Sequence, residues 1–286
     1  MTLYKEFTSI EDLNMQYLPS ASGLNASDIF ARWDIDSKHT RSLLKASCNV
    51  RFGPTVDEYI DVFPCGTKLA PVHIFIHGGY WSSFSPKEFS FIVPRLLEKG
   101  ITVVLNNYSL CPFVTIDEIV RQCRAAIKWV VEKITDFDGN PENITISGHS
   151  AGSHLAAMVA TTDWERQYGI PSTLLRGIVG ISGLYDLRPF PFTSLQPYLQ
   201  FTCEQIQRNS PIFTVRQNMP PTHLFVGESE SSEFHRQSED FASELRSKNN
   251  SAQKRTITGT NHFTILDGFF DEKSELFLTI TELCAP

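Results

Sequence analysis

No basic cluster breaks the sequence: 25 lysines and arginines lie scattered among 32 acidic residues, giving a net charge of -7. Neutralising phosphates requires a local excess of cations, so nucleic acid and anionic membrane surfaces are excluded as expected partners. The chain also lacks any apolar run of membrane-spanning length. Its first residues, MTLYKEFTSIEDLNMQYLPS, lack the basic start and apolar core of a secretory leader. The six cysteines (Cys48, Cys65, Cys111, Cys123, Cys203 and Cys284) form no C-x-x-C pair, which reads as reduced thiols in a cytoplasmic protein. Repeats and low-complexity linkers are absent as well. What remains is a chain of 286 residues, long enough to bury a substantial core and read here as a single domain over 1–286.

From about Val50 onward, short β-type runs alternate with amphipathic helical runs, the pattern of an α/β fold with a mostly parallel central sheet flanked by helices. The runs HIFIH (73–77), ITVVLNN (101–107), NITIS (143–147), LRGIVGIS (175–182) and THLFVG (222–227) predict buried strands. Ile116, Ile119, Val120, Cys123, Ile127, Val130, Val131 and Ile134 fall on one face of a predicted helix, which Asp138-Gly139-Asn140-Pro141 then breaks. Residues 50–64 predict an antiparallel hairpin starting the sheet, and 231–248 and 271–284 the last two helices. Two segments stand outside this alternation: 1–45, and the Pro- and Phe-rich 188–213. A long insertion between sheet strands is uncommon unless it covers a site, so both are expected to form a small cap.

Directly after the third of these runs comes Gly148-His149-Ser150-Ala151-Gly152, followed by the helical run SHLAAMVATT. This is G-x-S-x-G in a strand–turn–helix context, a nucleophile elbow that presents Ser150 on a strained turn. The N–H of Ala151 faces the same place from a helix N-terminus. A serine nucleophile demands an acid and then a histidine further along. His262 lies in the small-residue loop TGTNHFTIL before the last helix, a better position than His223, on a strand, or His235, on a helix. For the acid, Glu228, Glu230 and Glu233 in GESESSEF qualify, with Asp186 a fourth choice; loop position favours Glu228 or Glu230. Upstream, the strand ending in His77-Gly78-Gly79 brings backbone N–H groups of Gly78, Gly79 and Tyr80 to an oxyanion hole shared with Ala151. Tyr80 and Trp81 are expected to narrow the acyl side of the pocket, restricting it to formyl or acetyl. His149 is a further candidate substrate contact, as is Arg188, which could pair with a substrate carboxylate.

With H-G-G-Y-W (77–81), G-H-S-A-G (148–152), E-S-x-x-E-F-x-R-Q-S (230–238) and N-H-F (261–263), the chain resembles the kynurenine formamidase (arylformamidase) branch of the α/β-hydrolase superfamily over nearly its whole length. The resemblance implies hydrolysis of a small N-formyl or N-acyl amide through an acyl-serine, with no metal or organic cofactor. It maps the acid onto Glu230, where the family often carries Asp. A formamide or enamide from the breakdown of nitrogen heterocycles fits the same chemistry. A short-chain carboxylesterase is the near alternative and a non-catalytic binding protein on the same fold the distant one. The expected partner is the small amide or ester substrate, with a homodimer as the candidate assembly.

Overall fold

The computed structural model describes residues 2–19 and 26–285. Residues 1 and 20–25, which fall inside the expected cap segment, lie outside the described residues, as does residue 286. Eight strands form one sheet: β1 (Ser47–Arg51), β2 (Tyr59–Phe63), β3 (Ala70–Ile76), β4 (Thr102–Asn106), β5 (Gly139–His149), β6 (Leu175–Ile181), β7 (Thr222–Gly227) and β8 (Ala252–Ile257). Their order is β1-β2-β4-β3-β5-β6-β7-β8. The expected hairpin is present as β1 and β2, and β2 runs antiparallel to β4; every pairing from β4 through β3 to β8 is parallel.

Alternation along β3 explains why both faces of the sheet are covered. Val72, Ile74 and Ile76 point into one core and Phe75 into another. The first core lies under α4 (Ile116–Lys133), α5 (Ala151–Ala160) and α9 (Ser232–Ser247), the second under α2 (Ser27–Leu43), α3 (Val93–Glu98) and α10 (Glu275–Cys284). The predicted stripe on α4 is buried at Ile116, Ile119, Val120, Cys123, Ile127 and Val130. Shorter helices complete the set: α1 (Ile10–Tyr17), α6 (Trp164–Tyr168), α7 (Gln196–Leu199) and α8 (Cys203–Asn209).

One boundary departs from expectation. The breaker Asp138-Gly139-Asn140-Pro141 does end the helical run, with Asp138 in the left-handed region at φ 62°, yet β5 already begins at Gly139. Gly139 pairs with Ala70 across an irregularity that separates this first contact from the regular ladder starting at Val72–Ile144.

The C-terminal ends of β3, β5, β6, β7 and β8 share one edge of the sheet, the edge where open α/β sheets bind ligands. At its centre β5 turns into α5 through Ser150, at φ 55° and ψ -119°. The flanking glycines are there for space. A Cβ on Gly148 would stand 2.1 Å from the Gly152 carbonyl oxygen, and one on Gly152 would stand 2.0 Å from that of Ile76 on β3. Both obstacles are backbone and cannot rotate away. Gly152→Ala is therefore expected to lower the unfolding free energy by at least about 3 kcal/mol in urea titration, well beyond an ordinary helix substitution; a loss under about 1 kcal/mol would contradict this close packing.

Candidate active site

The backbone at position 150 is held from both sides: the Ser150 N–H donates to the Ile181 carbonyl at 2.8 Å, and its own carbonyl accepts from the N–H of Ser153 at 2.9 Å. Ala151 is the first residue of α5, so its N–H has no acceptor within its own helix. Facing it across the turn is Gly78, whose missing side chain leaves room for His149 and Ser150; a Cβ there would meet the His149 carbonyl oxygen at 2.8 Å.

His262 and Glu230 meet as the resemblance implies. His262 Nδ1 lies 2.7 Å from Glu230 Oε2, with both side chains almost fully buried. The other carboxylate oxygen accepts from the Gly227 N–H and the Ser182 hydroxyl, each at 2.6 Å. Three donors thus hold the acid in place. Ser182, at φ 51°, lies in the turn after β6 and carries no motif signal that would have singled it out. With the carboxylate accepting from Nδ1–H, the ring keeps its lone pair on Nε2, the form a general base needs. The other acid candidates are engaged elsewhere. Glu228 accepts from the Gly259 N–H, Glu233 binds Tyr17 and Arg236, and Asp186 binds Arg188 and Tyr4.

Ser150 (2% exposed) and His262 (4% exposed) line one cavity of about 250 Å³ together with Gly78, Gly79, Tyr80 and His149. Its remaining walls are mainly aromatic. Phe30 and Trp33 come from α2, Phe84 and Phe89 from the segment after the glycine pair, and Phe263 from beside His262. Phe30 is the hub, its ring centroid 5.0 Å from that of Phe263 and 5.4 Å from those of Trp33 and Phe84. The sequence reading passed over Phe30 and Trp33, although their i, i+3 spacing is that of a one-sided helix.

Two expected substrate contacts are corrected. Trp81 does not line this cavity: it is fully buried, donates from Nε1 to His154 Nδ1 at 3.1 Å, and packs edge-on against Phe190 and Phe201. The aromatic residues of 188–213 thus buttress the glycine loop instead of facing the cavity; Phe192 and Tyr198 are exposed. Arg188 is also elsewhere. Its guanidinium is bound to Asp186 and lies over the Phe213 ring, so its charge is already met. Tyr80 does line the cavity, and its hydroxyl donates to the Tyr17 carbonyl, tying the glycine loop to the end of α1. His149 lines it too, but its Nε2 donates to the His262 carbonyl at 2.7 Å, a bond that fixes the His262 loop. Among the described residues no group of three or more His, Cys, Asp or Glu side chains could hold a metal ion, and no helix is long and apolar enough to cross a membrane.

The family model BD-FAE matches residues 61–245. Kynurenine formamidase from Danio rerio is 31% identical over 277 residues, 92% of this chain and 92% of that protein; the one from Salmo salar is 31% identical over 95% of each. The chain belongs to the kynurenine formamidase family. A solved structure from a Silicibacter species, provisionally named a thioesterase, is 29% identical with a TM-score of 0.81 and covers 93% of this chain and 98% of its own. As a member of the kynurenine formamidase family, the chain is an α/β-hydrolase and a hydrolytic enzyme.

Four buried histidines, His73 on β3, His77 just after it, His149 on β5 and His154 on α5, lie on the elements that meet at the site. Burial pushes His73 down to about 3 and both His77 and His154 down to about 4; burial, followed by the neighbouring His262, holds His149 well below the ordinary imidazole value. Each must gain a proton on unfolding in acid, because the unfolded value is about 6.5. Folded values depressed below that reference give stability that is complete above pH ~6.5 and is lost as pH falls towards about 4. This kynurenine formamidase-family fold is expected to lose roughly 1 kcal/mol per histidine between about pH 7 and pH 5.5. Urea midpoints at the two pH values check it; equal midpoints would show that these rings are not held neutral.

Proposed function

We propose that the protein hydrolyses small aryl formamides, with Ser150 as nucleophile, His262 as general base and acid, and Glu230 as the group that orients the imidazole and stabilises its charged form. The observation carrying this reading is the Glu230–His262 hydrogen bond beside a cavity that Ser150 and the Gly78-Gly79 backbone also line. Ser150 Oγ bonds to the formyl carbon as its proton passes to His262 Nε2. The carbonyl oxygen takes up the negative charge against N–H groups of Ala151, Gly79 and Tyr80. The C–N bond then breaks, and the proton on Nε2 goes to the departing nitrogen. An aryl ring eases that departure by delocalising the nitrogen lone pair. Water, deprotonated by His262, attacks the formyl-serine; the C–O bond breaks, the proton returns to Ser150 Oγ, and formate leaves.

No step of this sequence needs a metal or an organic cofactor. The names of the formamidase relatives favour the amide over the ester. A short-chain esterase is the second reading, favoured by the fact that an acyl-serine forms equally from either substrate. The segment carrying α2 serves as the cap in this reading, since Phe30 and Trp33 wall the cavity that Ser150 and His262 line.

Ser150→Ala is expected to lower formate release from formanilide by at least about 10⁴-fold with the fold intact, and His262→Ala nearly as much, because the residues act as a unit. Full activity in the serine variant would end the proposal. Tyr80 now stands alone as the residue expected to limit the acyl group, and the small cavity supports that. The kcat/KM for p-nitrophenyl acetate should therefore exceed that for the octanoate by at least about tenfold. An octanoate preference would mean that Tyr80 does not close the acyl side.

A further inference from the structure

Between β5, which ends at the elbow, and β7, which leads to the acid, lies β6, and the last peptide unit of β6 touches both neighbours. Its carbonyl, that of Ile181, accepts from the Ser150 N–H at 2.8 Å, and its N–H, that of Ser182, donates to the Phe225 carbonyl at 2.7 Å. Ile181 and Phe225 form the last pair of the β6–β7 ladder. One planar, rigid group therefore spaces the nucleophile from the strand that carries the acid.

Ser182 adds a side chain to this bridge. It is fully buried, and its hydroxyl donates to Glu230 Oε1 at 2.6 Å from 48 positions away in the chain. The other donor to that oxygen, the Gly227 N–H, belongs to the acid's own turn, in which the Glu230 N–H donates back to the Gly227 carbonyl at 3.1 Å. Among the described residues, Ser182 is thus the one donor that ties Oε1 to anything outside that turn. A carboxylate buried this deeply, with its side chain 1% exposed, needs its charge met by donors. The backbone gives an independent sign. Ser182 lies in the left-handed region at φ 51°, which glycine would enter without steric cost, yet the chain carries serine there and glycine at the next position. A strained residue kept where glycine would be easier points to a task for its side chain.

We infer that Ser182 is a positioning residue for the reaction: its hydroxyl fixes the Glu230 carboxylate so that Oε2 meets His262 Nδ1, and so holds the imidazole in the tautomer that proton transfer from Ser150 requires. The inference rests on the hydrolysis proposed above and adds a residue to it. Ser182 acts through Glu230, and it is not among the residues that line the cavity. Its loss should leave substrate binding alone and weaken the support of the imidazolium that forms as Ser150 attacks, which is a loss in kcat and not in KM.

Two variants of the full chain test this. Ser182→Ala and Ser182→Gly both delete the hydroxyl, and the glycine also relieves the left-handed strain, so the turn is kept. In each, kcat for formanilide is expected to fall by about tenfold or more, the effect of one hydrogen bond to a charged group, with KM within about twofold. A second readout needs no turnover. The proton on His262 Nδ1 gives a far-downfield proton resonance, identified by its absence in His262→Ala, and its exchange with water is expected to accelerate by at least about tenfold in both variants. A hydroxyl that served only to shape the turn would leave that exchange unmoved in Ser182→Gly. Exchange as slow as in the unaltered protein, or an unaltered kcat, in Ser182→Gly would overturn the inference. Accelerated exchange in the variants with no turnover of formanilide by the unaltered protein would sink the proposed hydrolysis alone, whereas turnover by the unaltered protein with exchange indifferent to both substitutions would sink this inference alone.

Discussion

The contact between the first turn of α5 and the end of β3 is the constraint from which the site follows. Only because Gly152 carries no side chain can α5 start against the Ile76 and His77 carbonyls. Only because α5 starts there must β5 turn through a left-handed serine to reach it. The strain at Ser150 is thus imposed by tertiary packing, which is the condition under which a strained residue persists. The same contact sets the depth of the cavity: Gly78 follows immediately after the carbonyls that Gly152 approaches, so the two backbones expected to donate to an oxyanion are held by one close fit.

The loop after β3 extends this strain to bulky residues. Gly79 sits at φ 109°, and Tyr80 and Trp81 follow at φ 50° and 55°, a region that large side chains rarely occupy. Each has an anchor: the Tyr80 hydroxyl donates to the Tyr17 carbonyl, and Trp81 Nε1 donates to His154. His154 in turn donates from Nε2 to the Asn209 carbonyl at 2.6 Å, so a neutral ring links the glycine loop, α5 and the 188–213 insertion. Protonation would cost it the Trp81 bond, because a charged imidazole accepts nothing. Burial favours the neutral form, and the neutral form is the one the linkage needs.

These relations explain what could be read in advance. Strands β3 to β7, the elbow and His262 were legible because each depends on local pattern: period-two or continuous apolar runs, small residues at fixed offsets, and a loop histidine before the last helix. Glu230 was legible only through its family motif, since Glu228 lies in the same loop and differs from it in one respect, that Gly227 and Ser182 converge on Glu230. Trp81 was misassigned for an instructive reason. Adjacent residues in a turn with unusual dihedrals point in unrelated directions, so proximity to Tyr80 in sequence carried no information about facing the cavity. Phe30 and Trp33 escaped notice because their i, i+3 spacing marks one helix face without saying what that face covers; the approach of α2 to the His262 loop and to the segment after β3 is a long-range packing event.

The division of labour that results bears on how such a fold changes substrate. Every group assigned to bond-making comes from the C-terminal edge of the parallel strands, between residues 78 and 262; Ser150 and Glu230 are tied to β6 and β7 by their backbone N–H groups, and the His262 carbonyl is tied to β5 by the His149 ring. Part of the aromatic wall of the cavity comes instead from α2, a helix outside the strand–helix alternation, which meets the His262 loop through Phe30 and Trp33 against Phe263. Repacking α2 would alter the shape of the cavity through residues other than the serine, the imidazole and the acid. Chemistry and specificity therefore sit on separate pieces of chain, joined by one aromatic cluster. A family can thus keep its reacting centre intact while the wall of the cavity changes, because the α2 residues that line the cavity are none of those assigned to the reacting atoms.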